Sequence, residues 1–478
     1  YGSLEAARSA LSGASAPGAI GDIQDDWENG TIALANIWHL TGDASSGRAD
    51  ARLRDQAEFL TTTMRDWHAE IARFLREDIG APQLFNAGNW RTADNVLLDD
   101  LERYSQTSGD VVAVNRYFSR LHTGGFHGWA IVEGDRFREQ GLLKQPLDMP
   151  TALRQPAGYP YIIPETLWVP PIWQQAEAPI LMAAYQALTG VDISYWFGAN
   201  EIQWRHPQSA NGYLPSIGKW VVNSPQVLGG FPAAALIFRK GLIEEVPPVV
   251  IEHRSLNGLW ARDRPLTAPR QGTDPNRDNA LAAAKSNDGP DQPTISHVSP
   301  YSFLAGPVVT VFGSDEPDYI HPEINELIDP ERRIVSSATG QLQWDWSNGF
   351  VTLNAPKTQG VVGMLSSKNS FDLEHISIMS DAPYGSVLVV SMDGESIPRS
   401  SKLLVQVGSV VRPTGWRAKV VQHEKEPALE VVAFGSAPWQ ISKVDALITL
   451  KNSRVTKATS LDANGMAREA VPVLRRDG

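Results

Sequence analysis

The stretch Tyr159–Trp168, YPYIIPETLW, decides how this chain is read. Its continuous apolar run fits a strand covered on both faces, as strands of parallel sheets are. Glu165 stands at the C-terminal end of that run, next to Trp168 and the Pro-rich turn VPP. A carboxylate at the end of a buried strand is costly unless it has partners, so Glu165 is the first candidate for chemistry.

Working outward, the same pattern recurs on both sides. Upstream, DVVAVNRYF from Asp110 reads as a second buried strand, and a short strand is expected over Gln83–Ala87. A helix beginning near Asp94, a good N-cap, separates the two. Leu53, Ala57, Leu60, Met64, Trp67, Ile71, Phe74 and Leu75 recur at spacings of three and four, which predicts one face of a long helix over 50–79, stopped by Gly80 and Pro82. Downstream, AEAPILMAAYQALTG is an Ala-rich helix, ISYWFG at 193–198 a fourth strand, and a further helix is expected over 231–243.

Four strands alternating with helices suit a small doubly wound sheet. The long, Trp-rich loops after the strands hold most of the polar residues, which favours a (β/α)8 barrel, whose active site is built from such loops. A whole barrel needs ~250 residues and eight strands. The expectation is therefore the second half of a TIM barrel, strands five to eight, over 1–255. Such a half leaves two sheet edges open, so the other half must come from elsewhere. The chain opens on Tyr1 without a basic-then-apolar leader, and the half-barrel reading places a further segment ahead of it.

From 256 to 295 the chain turns polar and rich in Pro, Asn and Asp, and reads as a connecting segment. Beyond it, GPVVTVFG, GFVTLNA, GSVLVVSMD, KLLVQVGSVV and KVDALITLKN are short runs broken by turn residues. They predict an all-β part over 296–478, a β-sandwich. The fold class expected is thus α/β plus all-β.

Composition narrows the function. The 478 residues carry 42 basic and 54 acidic groups, a net −12, so a broad phosphate-binding surface would work against the overall field. Nucleic acid is not an expected partner. No apolar run approaches the ~20 residues of a membrane span. With no Cys there is no disulfide, thiolate metal site or cysteine nucleophile. Of the 15 Trp, all but Trp344, Trp346, Trp416 and Trp439 lie in the first 260 residues, where the candidate site is.

Around Glu165, Tyr117 at the end of VAVNRYF is a candidate partner, since a phenol donates to a carboxylate and holds its orientation. Asn89, Trp90 and Arg91 in LFNAGNWRTAD combine amide, indole and guanidinium, a set suited to a hydroxyl-rich ligand with an apolar face. His122 and His127 lie in a Gly-rich loop at a spacing of five, which argues against a metal pair and leaves substrate hydrogen bonding for one of them. Trp168, Trp173, Trp196 and Trp204 are candidate stacking platforms. Glu201 is either a second acid or a surface-loop residue. Asp274, Asn276 and Asp278 lack the Gly and distal Glu of an EF-hand loop and read as a turn. No phosphate-cradling loop, GxSxG elbow or HExxH motif is present.

Taken in order, LFNAGNWRTAD, VAVNRYF, IIPETLWVPP, SYWFGANEIQW and a C-terminal β region with SLDANG resemble the second half of a clan A glycoside hydrolase. That group of retaining (β/α)8 enzymes includes β-galactosidases, cellulases and agarases. The opening YGSLEAARSALSG is similar to the stretch that follows the fourth strand and its Asn-Glu pair in such enzymes. The resemblance implies that Glu165 is the nucleophile, Tyr117 its support, and that the acid/base Glu lies before Tyr1. It implies hydrolysis of a poly- or oligosaccharide without a cofactor, and only together with an N-terminal half from the same precursor or a separate chain. Stacking falls to Trp90, Trp168, Trp173 and Trp196, and hydrogen bonding to Asn89, Arg91, His122 and His127. A secreted or periplasmic protein is implied, and homo-oligomerisation is left open. The alternative is a noncatalytic carbohydrate-binding or cell-surface protein with a barrel-like fold.

Overall fold

The computed structural model describes residues 1–11, 24–41, 48–125, 127, 128, 130–198, 216–218, 220, 222–270, 298–423 and 426–475. The long helix is present as α1 (Arg48–Arg73), continued by a π-helical turn over Phe74–Asp78 and ended by Gly80 at φ +69°. Asp94 caps as expected, its Oδ1 accepting from the Val96 and Leu97 amides at 2.8 and 2.7 Å, with α2 (Asp99–Gln106) one turn later. Then follow β1 (Val112–Ala113), β2 (Tyr161–Thr166), α3 (Ala178–Thr189), β3 (Ile193–Trp196) and α4 (Phe231–Arg239).

β1, β2 and β3 form one parallel sheet in that order, and Asn86 adds a parallel bridge to Val111 on the far side of β1. Four segments therefore stand side by side in sequence order. The regular ladder of β1 is short, but the chain keeps alongside β2 through Val114, Arg116 and Phe118, whose amides donate to Ile162, Glu165 and Leu167. Among the described residues the strands do not close into a barrel.

The two faces of this sheet differ. Val112, Val114, Tyr161 and Ile163 enter the largest core, with α3 and α4. Ile193 and Tyr195 on β3 are exposed, at 43% and 55%. α1 differs from the expectation in the same sense. Leu53 and Ala57 are buried, yet Phe59, Leu60, Met64 and Trp67 face solvent, while the buried side carries Arg52, Gln56, Thr61 and His68. Three of those polar groups have partners: Arg52 pairs with Asp25 at 2.5 Å, Gln56 bonds both backbone groups of Ala35, and His68 Nδ1 lies 3.2 Å from the Ser105 carbonyl.

A second sheet joins distant parts of the chain. Val308–Phe312, expected to open the all-β part, lies parallel between Arg154–Pro156 and Val250–Arg254. Under it two arginines and two carboxylates alternate: Arg154 reaches Asp100 (2.6 Å) and Glu252 (2.9 Å), and Arg254 reaches the same two at 3.1 and 3.2 Å. A third sheet pairs Arg136–Phe137 with both His122–Thr123 and Glu426–Ala433, and Arg417–His423 with the latter. Two sheets therefore draw strands from both sides of the expected 256–295 connection. Within that segment, Leu256–Ala261 is a short helix capped by Ser255, and 271–297 lie outside the described residues.

The C-terminal part is β-rich. A seven-stranded antiparallel sheet runs from Ile328–Asp329 to Leu403–Gly408 and contains the predicted strands at Phe350–Ala355 and Gly385–Ser391. Alternation sends Val351, Leu353, Leu388 and Val390 to the core shared with α3 and α4. Phe350, Val361, Val387 and Val389 face the other way, against a three-stranded sheet containing Ile376–Ser380 and Ala446–Leu450. Two β-sheets thus pack face to face in this part, and helices from the first part cover the other face of the large sheet.

Candidate active site

Parallel pairing of β1 with β2 sets the positions of Tyr117 and Glu165. The Arg116 amide donates to the Glu165 carbonyl at 3.0 Å, so the two residues leave adjacent strands at the same end of the sheet. The register between β2 and β3 shifts between Ile163 and Thr166, around Pro164 and Glu165. Pro164 cannot donate to a ladder and belongs at such a bulge, and a bulge re-aims the side chain beside it. The outcome is a direct hydrogen bond in which the Tyr117 hydroxyl donates to Glu165 Oε2 at 2.5 Å. Tyr117 is buried and Glu165 half-buried.

Aromatic rings wall the pair. Trp220 meets the Tyr117 ring edge-to-face at 5.2 Å, and Phe197 lies 6.5 Å from Tyr117 and 5.9 Å from Trp220. The Trp220 indole is oriented by donation from Nε1 to the Gly128 carbonyl at 3.0 Å. Phe197 and Trp220 were not singled out from the sequence. For Phe197 the available sign was its place directly after β3.

The other candidates divide by burial. The strand expected over Gln83–Ala87 is present as the single bridge at Asn86, and Trp90, four residues on, is 54% exposed and open for stacking. Asn89 gives its backbone carbonyl to the Asn115 amide at 2.7 Å, which ties this loop to the Tyr117 strand, and Arg91 Nη2 donates to Asn95 at 3.4 Å. Trp196 is half-buried, stacked on Trp168 at 6.3 Å and edge-on to Phe231 at 5.4 Å. Trp168 and Trp173 are corrected from platforms to packing residues, since rings exposed by 0% and 3% offer no face to a sugar. Trp168 Nε1 donates to Glu177 Oε1 at 3.2 Å, and Trp173 lies under the Arg412 guanidinium at 4.3 Å. Glu201 and Trp204 lie outside the described residues.

His122 is buried as well, with Nε2 against Asp135 Oδ2 at 2.8 Å. Gly124 makes room for that pair, because a Cβ there would stand 1.8 Å from Asp135 Oδ1. His127 bonds the Gly124 carbonyl through Nδ1 at 2.8 Å and meets the His122 ring edge-on at 6.4 Å. His122 therefore positions the loop that presents His127 and the Trp220 anchor Gly128. Among the described residues no group of three or more His, Asp or Glu is placed to hold a metal ion, and no helix is long and apolar enough to cross a membrane.

Glu177, just before α3, is a carboxyl that sequence reasoning passed over. Burial pushes it up to about 8, so it is largely protonated at neutral pH. It accepts from Trp168, from the Leu142 amide (3.0 Å) and from the Tyr384 hydroxyl (3.1 Å), which links the loop after Glu165 to the C-terminal sheet.

Set against known protein families, curated proteins and solved structures, the chain matches none.

Proposed function

We propose that this chain is the C-terminal part of a retaining glycoside hydrolase, with Glu165 as nucleophile and the acid/base carboxyl on a complementary N-terminal barrel half. The observation that carries the reading is the Tyr117 hydroxyl donating to Glu165 at the C-terminal end of adjacent parallel strands, inside an aromatic wall. A carboxylate held by a phenol has a lone pair directed into the site and cannot swing away. Aromatic walls suit the apolar faces of sugar rings.

In the first step Glu165 attacks the anomeric carbon while the second carboxyl protonates the departing glycosidic oxygen. In the second, that same group takes a proton from water, which displaces Glu165 and regenerates both carboxyls. The two groups must lie ~5–5.5 Å apart for this outcome, which fixes where the complementary half has to bring its own.

Two observations support a complementary half. Parallel sheets are normally covered on both faces, yet Ile193 and Tyr195 lie open. The apolar stripe of α1, from Phe59 to Trp67, is open as well. A secreted or periplasmic setting goes with a polysaccharide substrate and forms part of the proposal.

The test is reconstitution of the chain with a barrel half carrying the Asn-Glu pair, followed by a 2-deoxy-2-fluoro activated glycoside. Mass spectrometry should find the sugar on the peptide containing Glu165, and Glu165→Gln should abolish turnover while sugar binding persists. Sugar binding without turnover in the reconstituted wild type would instead mark a noncatalytic carbohydrate-binding protein.

A further inference from the structure

The seven-stranded sheet ends on the strand Leu403–Gly408, whose one neighbour in it among the described residues is Gly385–Ser391. The two pair in unbroken antiparallel register. The Ser391 amide turns away from this ladder to the Lys357 carbonyl, while the next amide, Met392, donates to Lys402. Backbone groups alternate in direction along a ladder, so Leu404, Gln406 and Gly408 turn theirs into the sheet, and Leu403, Val405 and Val407 turn theirs outward. The side chains of these last three lie on the face of Val387 and Val389, toward the core between the two sheets. Leu403 is partly buried there, with Ile448 and Leu450 of the smaller sheet, but Val405 and Val407 are exposed at 47% and 45%. That core is therefore open along this edge.

Outer strands elsewhere in the molecule are protected. Arg417–His423 carries Arg417 and Lys419, Arg154–Pro156 ends on a proline, and Ile328–Asp329 is two residues long. Charge, proline and shortness are the means by which sheets avoid pairing edge to edge. Leu403–Gly408 uses none of them. From Leu403 to Val411 the sequence LLVQVGSVV holds no charged residue and no proline, and no bulge interrupts the ladder. An apolar, regular, open edge is a template for another strand.

Charge decides whose strand that is. Two copies of a chain of net −12 repel each other, so a stable contact between them calls for a neutral surface, and this edge supplies one on both. The edge is also complementary to itself. Antiparallel pairing across a twofold axis at Gln406 sets Val405 opposite Val407 of the second copy, and outward backbone groups then meet outward backbone groups. The valines form cross-strand apolar pairs that close the open side of the core. We infer that this chain forms a twofold dimer through Leu403–Gly408, which joins two seven-stranded sheets into one. The inference makes no use of Glu165 and stands apart from the hydrolase reading.

The test is sedimentation velocity on the full chain at ~50 μM, a concentration that populates any dimer with micromolar affinity. The wild type should sediment at twice the chain mass. The double variant Val405→Lys, Val407→Lys sets like charges opposite each other and should raise the dimer Kd at least about tenfold, with an unchanged circular dichroism spectrum. A monomeric wild type overturns the proposal, and so does a dimer that the double variant leaves intact. Should the lysine variant fail to fold, Val405→Cys, Val407→Cys decides, since the chain has no other cysteine. Residues opposite each other in such a ladder lie within disulfide reach. Mild oxidation should give covalent dimers of this variant far faster than of Val420→Cys, which is 74% exposed on the protected strand Arg417–His423. Equal rates for the two overturn the edge-to-edge dimer.

Discussion

At the residue scale, the hydrogen bond from Tyr117 to Glu165 is the contact on which the proposed chemistry depends. Tyr117→Phe keeps the ring and its contact with Trp220 and removes only the donor. A hydrogen bond to a charged group is worth about 1.5–3 kcal/mol, so kcat of the reconstituted enzyme should fall by roughly 10- to 100-fold, with KM little changed. An unchanged kcat would show that the phenol merely packs. Glu177 makes a different prediction. Its folded value of about 8 lies above its ordinary 4.5, so the folded chain holds a proton that the unfolded chain releases across that interval. Its contribution to stability is therefore complete below pH 4.5 and declines as the pH rises through 8, by on the order of 3 kcal/mol at pH 7. Glu177→Gln can still accept from Trp168 and Leu142 and can donate to Tyr384. It should flatten this decline in urea unfolding measured at pH 5, 7 and 8. A slope equal to that of the wild type would mean that the carboxyl is ionised in the folded chain.

At the scale of elements, α2, the strand Arg154–Pro156 and the strand Val250–Arg254 are joined by the buried ring of Arg154, Asp100, Arg254 and Glu252. Removing one member leaves buried charges uncompensated, which is far costlier than the net worth of the intact set. Arg154→Met should lower unfolding stability by about 3–5 kcal/mol in urea titrations. A loss below ~1 kcal/mol, the range of a surface ion pair, would mean that water reaches the ring. This set was invisible in the sequence because its members lie far apart along the chain. The helix period of α1, by contrast, was plain, and so was the Asp94 cap, since both are local. Which side of α1 is buried was not legible. Gln56 and Arg52 are buried through bonds to Ala35 and Asp25, partners that no periodicity records.

At the scale of the whole molecule, the apolar areas open among the described residues include the face of β3 at Ile193 and Tyr195 and the α1 stripe at Phe59, Leu60, Met64 and Trp67. A partner that binds only the folded chain stabilises it by mass action, by about 2.7 kcal/mol at a hundredfold excess over Kd. The complementary half should therefore raise the thermal midpoint of the wild-type chain. The double variant Trp67→Glu, Tyr195→Glu should weaken that association at least about tenfold and leave the isolated chain as stable as before, since exposed substitutions cost little. Equal association by the variant would place the partner on another surface. The same scale explains the shared core, in which the large antiparallel sheet uses α3 and α4 as cover.

The sequence by itself determined the local order of elements. Helices at 48–73 and 178–189, the buried strand ending in Glu165, and the short β runs after Pro307 follow from periodicity, caps and turn residues, which act over a few positions. The pairing of Tyr117 with Glu165 was also within reach, because residues that end neighbouring parallel strands meet at one rim. Only the tertiary structure decided which Trp are buried and which are open. It also decided that Val308–Phe312 joins a parallel sheet with Arg154–Pro156, and that Leu403–Gly408 stands at the edge of its sheet. Those outcomes depend on which surfaces meet across long stretches of chain, and contact between distant surfaces leaves no period or spacing in the sequence to be read.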